Sequence, residues 1–234
     1  GETLGIVGES GSGKSTVARC IVRLTDAEAG EILLGDTDLR PLRRAAMRPH
    51  RAQIQMVFQD PFASLNPRSK VGRIIAQGPE LYGASRSKAR EIALELLRIV
   101  GLDDRAYDRF PHEFSGGQRQ RIGIARALAL EPKILVADEP VSALDVSIQA
   151  QILELLDEIR ERMNLSMIFI THDLRVAAQV CDRIAVMQRG EVVEIGPTAK
   201  LFANPQHPYT TELLAAVPGK GWFSAEGKAL TEAS

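Results

Sequence analysis

The sequence predicts an α/β fold built on a mostly parallel sheet, with a block of helices inserted between two of its strands. The first observation is alternation. Short runs rich in Ile, Val and Leu recur at 3–7, 31–34, 53–58, 133–137, 167–171, 183–188 and 191–195. Helical patterns at 14–24, 117–130, 147–162 and 173–181 separate several of them, as in a parallel sheet covered by helices on both faces. The second is that Lys133–Ala137 and Ser166–Ile170 are nearly continuous apolar runs, which suits central parallel strands. The third is a break from about 60 to 129, opened by the loop signals Asp60-Pro61 and Asn66-Pro67. Helical spacing follows over 84–100, where Ile92, Leu96, Leu97 and Ile99 keep one face apolar. Arg86, Lys88, Arg90, Glu91 and Glu95 supply the charge.

Taken in order, the strand at 3–7 runs into Gly8-Glu9-Ser10-Gly11-Ser12-Gly13-Lys14-Ser15-Thr16, and a helix with Val17, Ile21 and Leu24 on its apolar face opens at Lys14. This fits the G-x-x-x-x-G-K-[ST] phosphate loop. Gly8, Gly11 and Gly13 reach backbone angles closed to residues with a Cβ, so successive N–H groups can curl around phosphate oxygens. The helix start aims its positive dipole end at the same place. Lys14 supplies a point charge for β- and γ-phosphates, and the Ser15 hydroxyl suits Mg²⁺. The chain is expected to bind a nucleoside triphosphate through Gly8 to Thr16.

The later strands and helices complete the division. A core over 1–59 and 130–203, a helical subdomain over about 60–129 and a C-terminal helix at about 204–218 make one domain of 1–218. A small, polar tail follows at 219–234, relieved only by Trp222 and Phe223. The net charge of −1 favours neither nucleic acid nor an anionic surface. The basic run Arg40, Arg43, Arg44, Arg48 and Arg51 lacks interleaved aromatics, so it reads as a solvated face beside a loop. Cys20 and Cys181 have no C-x-x-C spacing and read as small buried hydrophobes. No apolar run approaches the length of a membrane-spanning helix. The chain opens on Gly1, almost directly on the first strand, so further sequence is expected to precede it.

Four further segments narrow the chemistry. Phe114-Ser-Gly-Gly-Gln-Arg-Gln-Arg121 places Ser115, Gly116, Gly117 and Gln118 at the start of a helix, a second anion-binding helix N-terminus. Ile134-Leu-Val-Ala-Asp138-Glu139-Pro140 is an apolar strand ending in two carboxylates. Such a strand end delivers both acids to the ligand edge of the sheet. Gln59 follows Gln55-Met-Val-Phe58, and His172 follows Met167-Ile-Phe-Ile-Thr171. Together with the phosphate loop, these segments resemble the ATP-binding subunits of ABC transporters over roughly residues 1–218.

The resemblance implies a phosphate-loop NTPase core of RecA-like type, with Asp138 and Ser15 on Mg²⁺ and Glu139 orienting the attacking water. Gln59 matches the Q-loop contact to Mg²⁺ and water, and His172 matches the switch histidine at the γ-phosphate. Lys14, Glu139 and His172 are then the catalytic set. In this family two subunits pack head to tail, so Ser115, Gly116, Gly117 and Gln118, with Asp145 of the Ser142-Ala143-Leu144-Asp145 segment, would complete the ATP site of a partner subunit. Ser115 follows Lys14 by 101 positions, without the coiled coils or zinc modules of DNA-repair relatives.

Gln59–Pro67, Asn204–Leu214 and Asp145–Ile152 are similar to the oligopeptide/dipeptide importer branch, and nickel and glutathione importers share much of the pattern. The resemblance thus implies an ATPase that energises peptide uptake, with ATP and Mg²⁺ as cofactors. It implies a second ATPase subunit (homo- or heterodimer), membrane-spanning permease subunits, indirectly a substrate-binding protein, and no nucleic acid. The location it implies is peripheral, on the cytoplasmic face of the inner membrane. The rival class is a soluble ABC ATPase acting on DNA or ribosomes. No cysteine lies near the C-terminal segment, so no iron–sulfur centre is expected. The family's adenine-stacking aromatic lies upstream of the phosphate loop. The chain from Gly1 is therefore expected to bind ATP more weakly than one carrying that residue.

Overall fold

The structure is a computed structural model that describes residues 1–216; residues 217–218, the expected end of the C-terminal helix, and the tail at 219–234 with Trp222 and Phe223 lie outside them. In chain order, β1 (Thr3–Val7) and α1 (Lys14–Ile21) flank the glycine loop, followed by β2 (Leu33–Leu34), β3 (Thr37–Asp38), α2 (Arg44–Gln53) and β4 (Ile54–Val57). Next come α3 (Pro61–Ser64), α4 (Val71–Leu81), α5 (Arg86–Ile99), two short 3-10 turns and α6 (Gly116–Leu128). The chain then returns to the sheet through β5 (Ile134–Asp138), α7 (Val146–Met163), β6 (Ser166–Thr171), α8 (Leu174–Val180) and β7 (Arg183–Gln188). It ends in β8 (Glu191–Pro197), α9 (Thr198–Ala203) and α10 (Pro208–Ala215).

Six strands form one sheet in the order β4-β5-β6-β1-β7-β8. The first five run parallel, and β8 turns back antiparallel on β7. Register aligns the strand ends: Val7 pairs with Thr171, Asp138 with Ile170 and Val57 with Ala137. The segments that follow β1, β4, β5 and β6 therefore leave one edge together, which is where open α/β sheets bind ligands.

Strand periodicity divides the core. Ile6, Met56, Val136 and Ile170 face α1 and α2, together with Ala18 and Met47. Val7, Val57, Leu135, Ala137 and Phe169 face the other way, into a cluster holding Ile122, Ile152 and Ile75. Phe169, Ile122 and Ile152 are fully buried, each stabilising the fold by about 1.5–3 kcal/mol. The inserted helices belong to that second cluster, so they are packed on the sheet and not hung from it. α5 begins where Ser85 Oγ accepts the Lys88 N–H at 3.2 Å. It buries Ala89, Ala93, Leu96 and Leu97, while Ile92 and Ile99 pack at the margin of the cluster.

Two expectations need correction, and one helix carried no readable signal. The apolar run at 31–34 is no strand of the main sheet; Leu33 and Leu34 pair with Asp38 and Thr37 in a separate two-stranded hairpin. The basic run at 40–51 does border a loop, but it continues from there onto a helix, α2: Arg43, Arg44 and Arg48 are exposed, Arg40 and Arg51 half-buried, and Met47 buried. The helix α4 went unread because Gly72, Gly78 and Pro79 interrupt it. Gly72 is required there, since a Cβ would lie 2.2 Å from the Tyr107 ring. Cys181 is buried while Cys20 is half-buried, and both are free thiols. Burial, helped by the neighbouring Asp182, pushes the Cys181 thiol up to about 12. Leu213 and Leu214 of α10 pack on the core.

Candidate functional site

The phosphate loop leaves β1 through three glycines at positive φ: Gly8 at 150°, Gly11 at 84° and Gly13 at 99°. Gly8 is the most constrained, because a Cβ there would sit 2.2 Å from the Met187 carbonyl oxygen at the end of β7. The loop closes on itself through Ser12 N–H to Glu9 O at 3.2 Å, and Gly190 N–H holds Ser12 O at 3.0 Å from the β7–β8 turn. Glu9, Ser10, Gly11 and Thr16 are exposed, whereas Gly8, Ser12 and Lys14 are buried. Lys14 Nζ donates to the carbonyls of Gly8 and Glu9, both at 2.8 Å, and reaches Ser12 Oγ at 3.4 Å. Burial lowers the Lys14 pKa from its ordinary value, and Glu139 and Asp138 oppose that by stabilising the ammonium.

Ser15, at the first turn of α1, donates its hydroxyl to Asp138 Oδ1 at 2.9 Å. Asp138 ends β5 and is only 3% exposed. Burial raises its pKa, the Ser15 bond lowers it, and the negative charge of Glu139 raises it further. The residue after it is held differently. Glu139 has φ of 44°, a left-handed conformation that costs of order 1–3 kcal/mol for a side chain of this kind. Its N–H donates to Ile170 O at 3.0 Å, and the Ser142 hydroxyl donates to its carbonyl at 3.1 Å. That turn brings Glu139 Oε2 to Gln59 Nε2 at 3.0 Å and to His172 Nδ1 at 3.3 Å. Four strand ends, those of β1, β4, β5 and β6, thus contribute to one place.

The other predicted residues form a second cluster. Ser115 caps α6, accepting from Gln118 N–H at 3.3 Å while Gln118 Oε1 accepts the Ser115 N–H at 3.0 Å. Gly116 and Gly117 follow at helical angles, so left-handed freedom is not what they supply. Gly117 permits close packing: a Cβ would lie 2.5 Å from Ile148 Cγ2. The start of α6 therefore rests on the start of α7, beside exposed Asp145. Within one chain the side-chain hydrogen bonds of Ser115 and Gln118 run between these two residues and not to the phosphate loop.

Two supports of the site were not read from the sequence. Tyr209, in α10, accepts the Glu9 N–H on its hydroxyl at 3.1 Å. Arg126, in α6, places its guanidinium 5.7 Å from the Phe58 ring centre and donates to Ser64 O, bracketing the segment around Gln59. Both contacts join residues far apart in the chain, and no local pattern signals them. A cavity of about 760 Å³ opens beside Gly1, Lys133 and Ser166, at the opposite ends of the strands. Among the described residues no group of three or more His, Cys, Asp or Glu is placed to hold a metal.

The parallel sheet, the glycine loop on its central region and the acidic strand end beside that loop define a phosphate-loop nucleotide-binding domain. Residues 1–142 match the family described as ABC transporter, and residues 193–222 match the oligopeptide/dipeptide transporter C-terminal region. The chain belongs to the ABC transporter family as an ATPase domain, and ATP hydrolysis is expected of it. It is 52% identical over 222 residues to the dipeptide transport ATP-binding protein DppF of Lactococcus lactis, covering 93% of this chain and 71% of that protein. It is 50% identical over 222 residues to the oligopeptide transport ATP-binding protein OppF of Bacillus subtilis, covering 93% and 72%. Among solved structures it resembles the dimeric ATP-binding cassette MJ0796 bound to ADP and Pi, with a TM-score of 0.76 and 32% identity over 84% of this chain and 85% of that one. It also resembles cbiO1 from Clostridium perfringens, part of the transporter complex cbiONQ, with a TM-score of 0.78 and 30% identity over 87% and 80%.

Proposed function

We propose that this chain is the ATP-hydrolysing subunit of a peptide importer and drives uptake by closing on a second ATPase subunit. The observation that carries the reading is the junction at Glu139. A single carboxylate oxygen meets Gln59 and His172, beside the Ser15–Asp138 pair and the ammonium of Lys14. In this reading Lys14 keeps its bond to the Gly8 carbonyl and turns its other N–H groups from the Glu9 carbonyl and Ser12 hydroxyl toward the β- and γ-phosphates, and the loop amides from Gly8 to Thr16 line the rest. Glu139 orients a water molecule and accepts its proton, while Gln59 and His172 fix the carboxylate and report on the γ-phosphate.

The residues fit a magnesium ion, because Ser15 Oγ and Asp138 Oδ1 are hard oxygen donors already paired, with Gln59 nearby. Such an ion would neutralise charge developing on the phosphate oxygens. Ser115, Gln118 and Asp145 are exposed, with Gly116 and Gly117 half-buried between them, a surface that would serve a partner subunit's ATP.

A groove of about 400 Å³ between the core and the inserted helices supports a permease partner. Val22, Leu24, Met56, Phe58, Ile74 and Leu81 line it, and Leu24 and Leu81 are about 60% exposed. Solvated apolar surface beside the Gln59 segment is what a transmitting contact needs. No helix among the described residues is long and apolar enough to cross a membrane, so in this reading the chain works at the inner membrane's cytoplasmic face through those subunits and the associated substrate-binding protein. The peptide cargo rests on the match at 193–222 and on the relatives' names. The test is uptake of labelled di- and oligopeptides by cells lacking this subunit. Wild-type protein should restore uptake and Lys14→Ala should not; restoration by both, or by neither, would refute the proposal.

A further inference from the structure

The C-terminal segment that marks this branch reaches the phosphate loop directly. Tyr209 is 6% exposed and belongs to the main core cluster. Its position is set by a chain of contacts from the sheet. Glu194 on β8 accepts the Gln206 and His207 N–H groups at 2.9 and 3.0 Å. The His207 ring then accepts the Tyr209 N–H at 3.2 Å, capping α10, and Pro208 occupies its first turn. From there the tyrosine hydroxyl meets Glu9 N–H at 3.1 Å.

The Glu9 N–H and the Gly8 carbonyl belong to the same peptide unit. That unit is planar and trans, so its N–H and C=O point in opposite directions and turn together. The Gly8 carbonyl accepts Lys14 Nζ at 2.8 Å. One rigid plane therefore links the Tyr209 hydroxyl on one side to the Lys14 ammonium on the other. Gly8, at φ of 150°, has no Cβ to resist rotation of that plane. With both ends bonded, rotation breaks two hydrogen bonds, and each polarises the other through the amide.

We propose that Tyr209 is a positioning residue for nucleotide binding, holding the Gly8–Glu9 peptide in the orientation that places Lys14. The ring alone fills the core, and a phenylalanine would fill it equally well. What the hydroxyl adds is an acceptor for an N–H of the phosphate loop. The family-specific C-terminal segment thereby stabilises the site from outside the shared cassette, and its docking is coupled to ATP affinity. This rests on the reading of Lys14 as a triphosphate contact.

The experiment measures KM for ATP, kcat and Tm in the complete chain assembled with its transporter. It compares wild type, Tyr209→Phe, Leu213→Ala and Lys14→Ala. Leu213 packs on the core from the same helix but is not part of the hydrogen-bond chain to the loop. Tyr209→Phe should raise KM by about two- to tenfold, the worth of one hydrogen bond, with kcat at saturating ATP within about twofold of wild type. Leu213→Ala should lower Tm more than Tyr209→Phe does, yet leave KM unchanged. An unchanged KM in Tyr209→Phe, or a KM that follows the loss of Tm across both variants, overturns the proposal. The reading of the site fails separately, if Lys14→Ala binds and hydrolyses ATP like wild type.

Discussion

Glu139→Gln is the substitution that isolates charge from geometry at this site. Gln59 Nε2 and His172 Nδ1 both approach the same atom, Oε2, at 3.0 and 3.3 Å. A glutamine can put its amide oxygen at that position and keep both neighbours. Its NH₂ group then occupies the place of Oε1, where it has no lone pair for a water proton. Side-chain volume and the strained turn at φ of 44° are retained, so folding should not change. The loss is that of a general base, about 10²- to 10⁴-fold in rate, or about 3–5 kcal/mol of barrier. ATP affinity should hold or rise, because one negative charge near the γ-phosphate is gone. The assay is single-turnover hydrolysis with excess transporter, alongside nucleotide retention and sizing of the ATPase subunits. The expected result is ATP trapped in a closed pair with Tm unchanged. Hydrolysis within tenfold of wild type would refute the role of Glu139, whatever the other residues do.

Gly8→Ala should lower Tm by roughly 2–12 °C. The added Cβ meets the Met187 carbonyl oxygen at 2.2 Å, and a φ of 150° adds strain, together about 1–3 kcal/mol. Gly11→Ala, with nothing within 4 Å of its Cβ, should cost less, and thermal melts showing the reverse order would contradict the proposed constraint. Asp138→Asn should stabilise the nucleotide-free protein at pH 7.5. The folded pKa of Asp138 lies above its unfolded value. Its favourable contribution is therefore complete below the unfolded pKa, about 3.9, and lost as pH rises through the folded one, leaving a penalty at neutral pH. The gain in Tm over wild type should shrink as pH falls toward 5, when measured without magnesium. A less stable Asn variant at pH 7.5 would sink that account.

What was legible in the sequence followed local chemistry. Gly8 to Thr16 could be read because glycine spacing, a lysine and a hydroxyl make one contiguous unit. Asp138 and Glu139 could be read because a buried strand must end where its residues turn polar. Val146–Met163, an 18-residue helix, shows its apolar period over several turns. By contrast, α4 carries two glycines and a proline, and its stability comes from burying Val71, Ile74 and Ile75, a tertiary effect without local signature. The hairpin at 33–38 has two-residue strands, too short for any period to register. Tyr209 has no local signal of its role. Its partner stands 200 positions away, and the bond exists because β7, β8 and α10 fold back over the loop.

Three unfavourable features of the molecule meet at one sheet edge. Lys14 is desolvated, Asp138 is a buried carboxylate with a raised pKa, and Glu139 holds a left-handed backbone. A domain optimised only for stability would have none of these, and a packed sheet is what keeps them in place. In the proposed reading one kind of ligand would answer the first two together: a triphosphate would place anionic oxygens on Lys14, and a magnesium ion with it would bring a cation to Asp138 and Ser15. The third does not titrate away, since the turn at Glu139 aims the carboxylate at Gln59 and His172 instead of at solvent. The binding residues thus gain from the nucleotide while the hydrolytic one stays held by its own neighbours. Substitution at Lys14 should act on affinity and substitution at Glu139 on rate. In the proposed reading, that separation would let ATP binding close the subunits before hydrolysis reopens them.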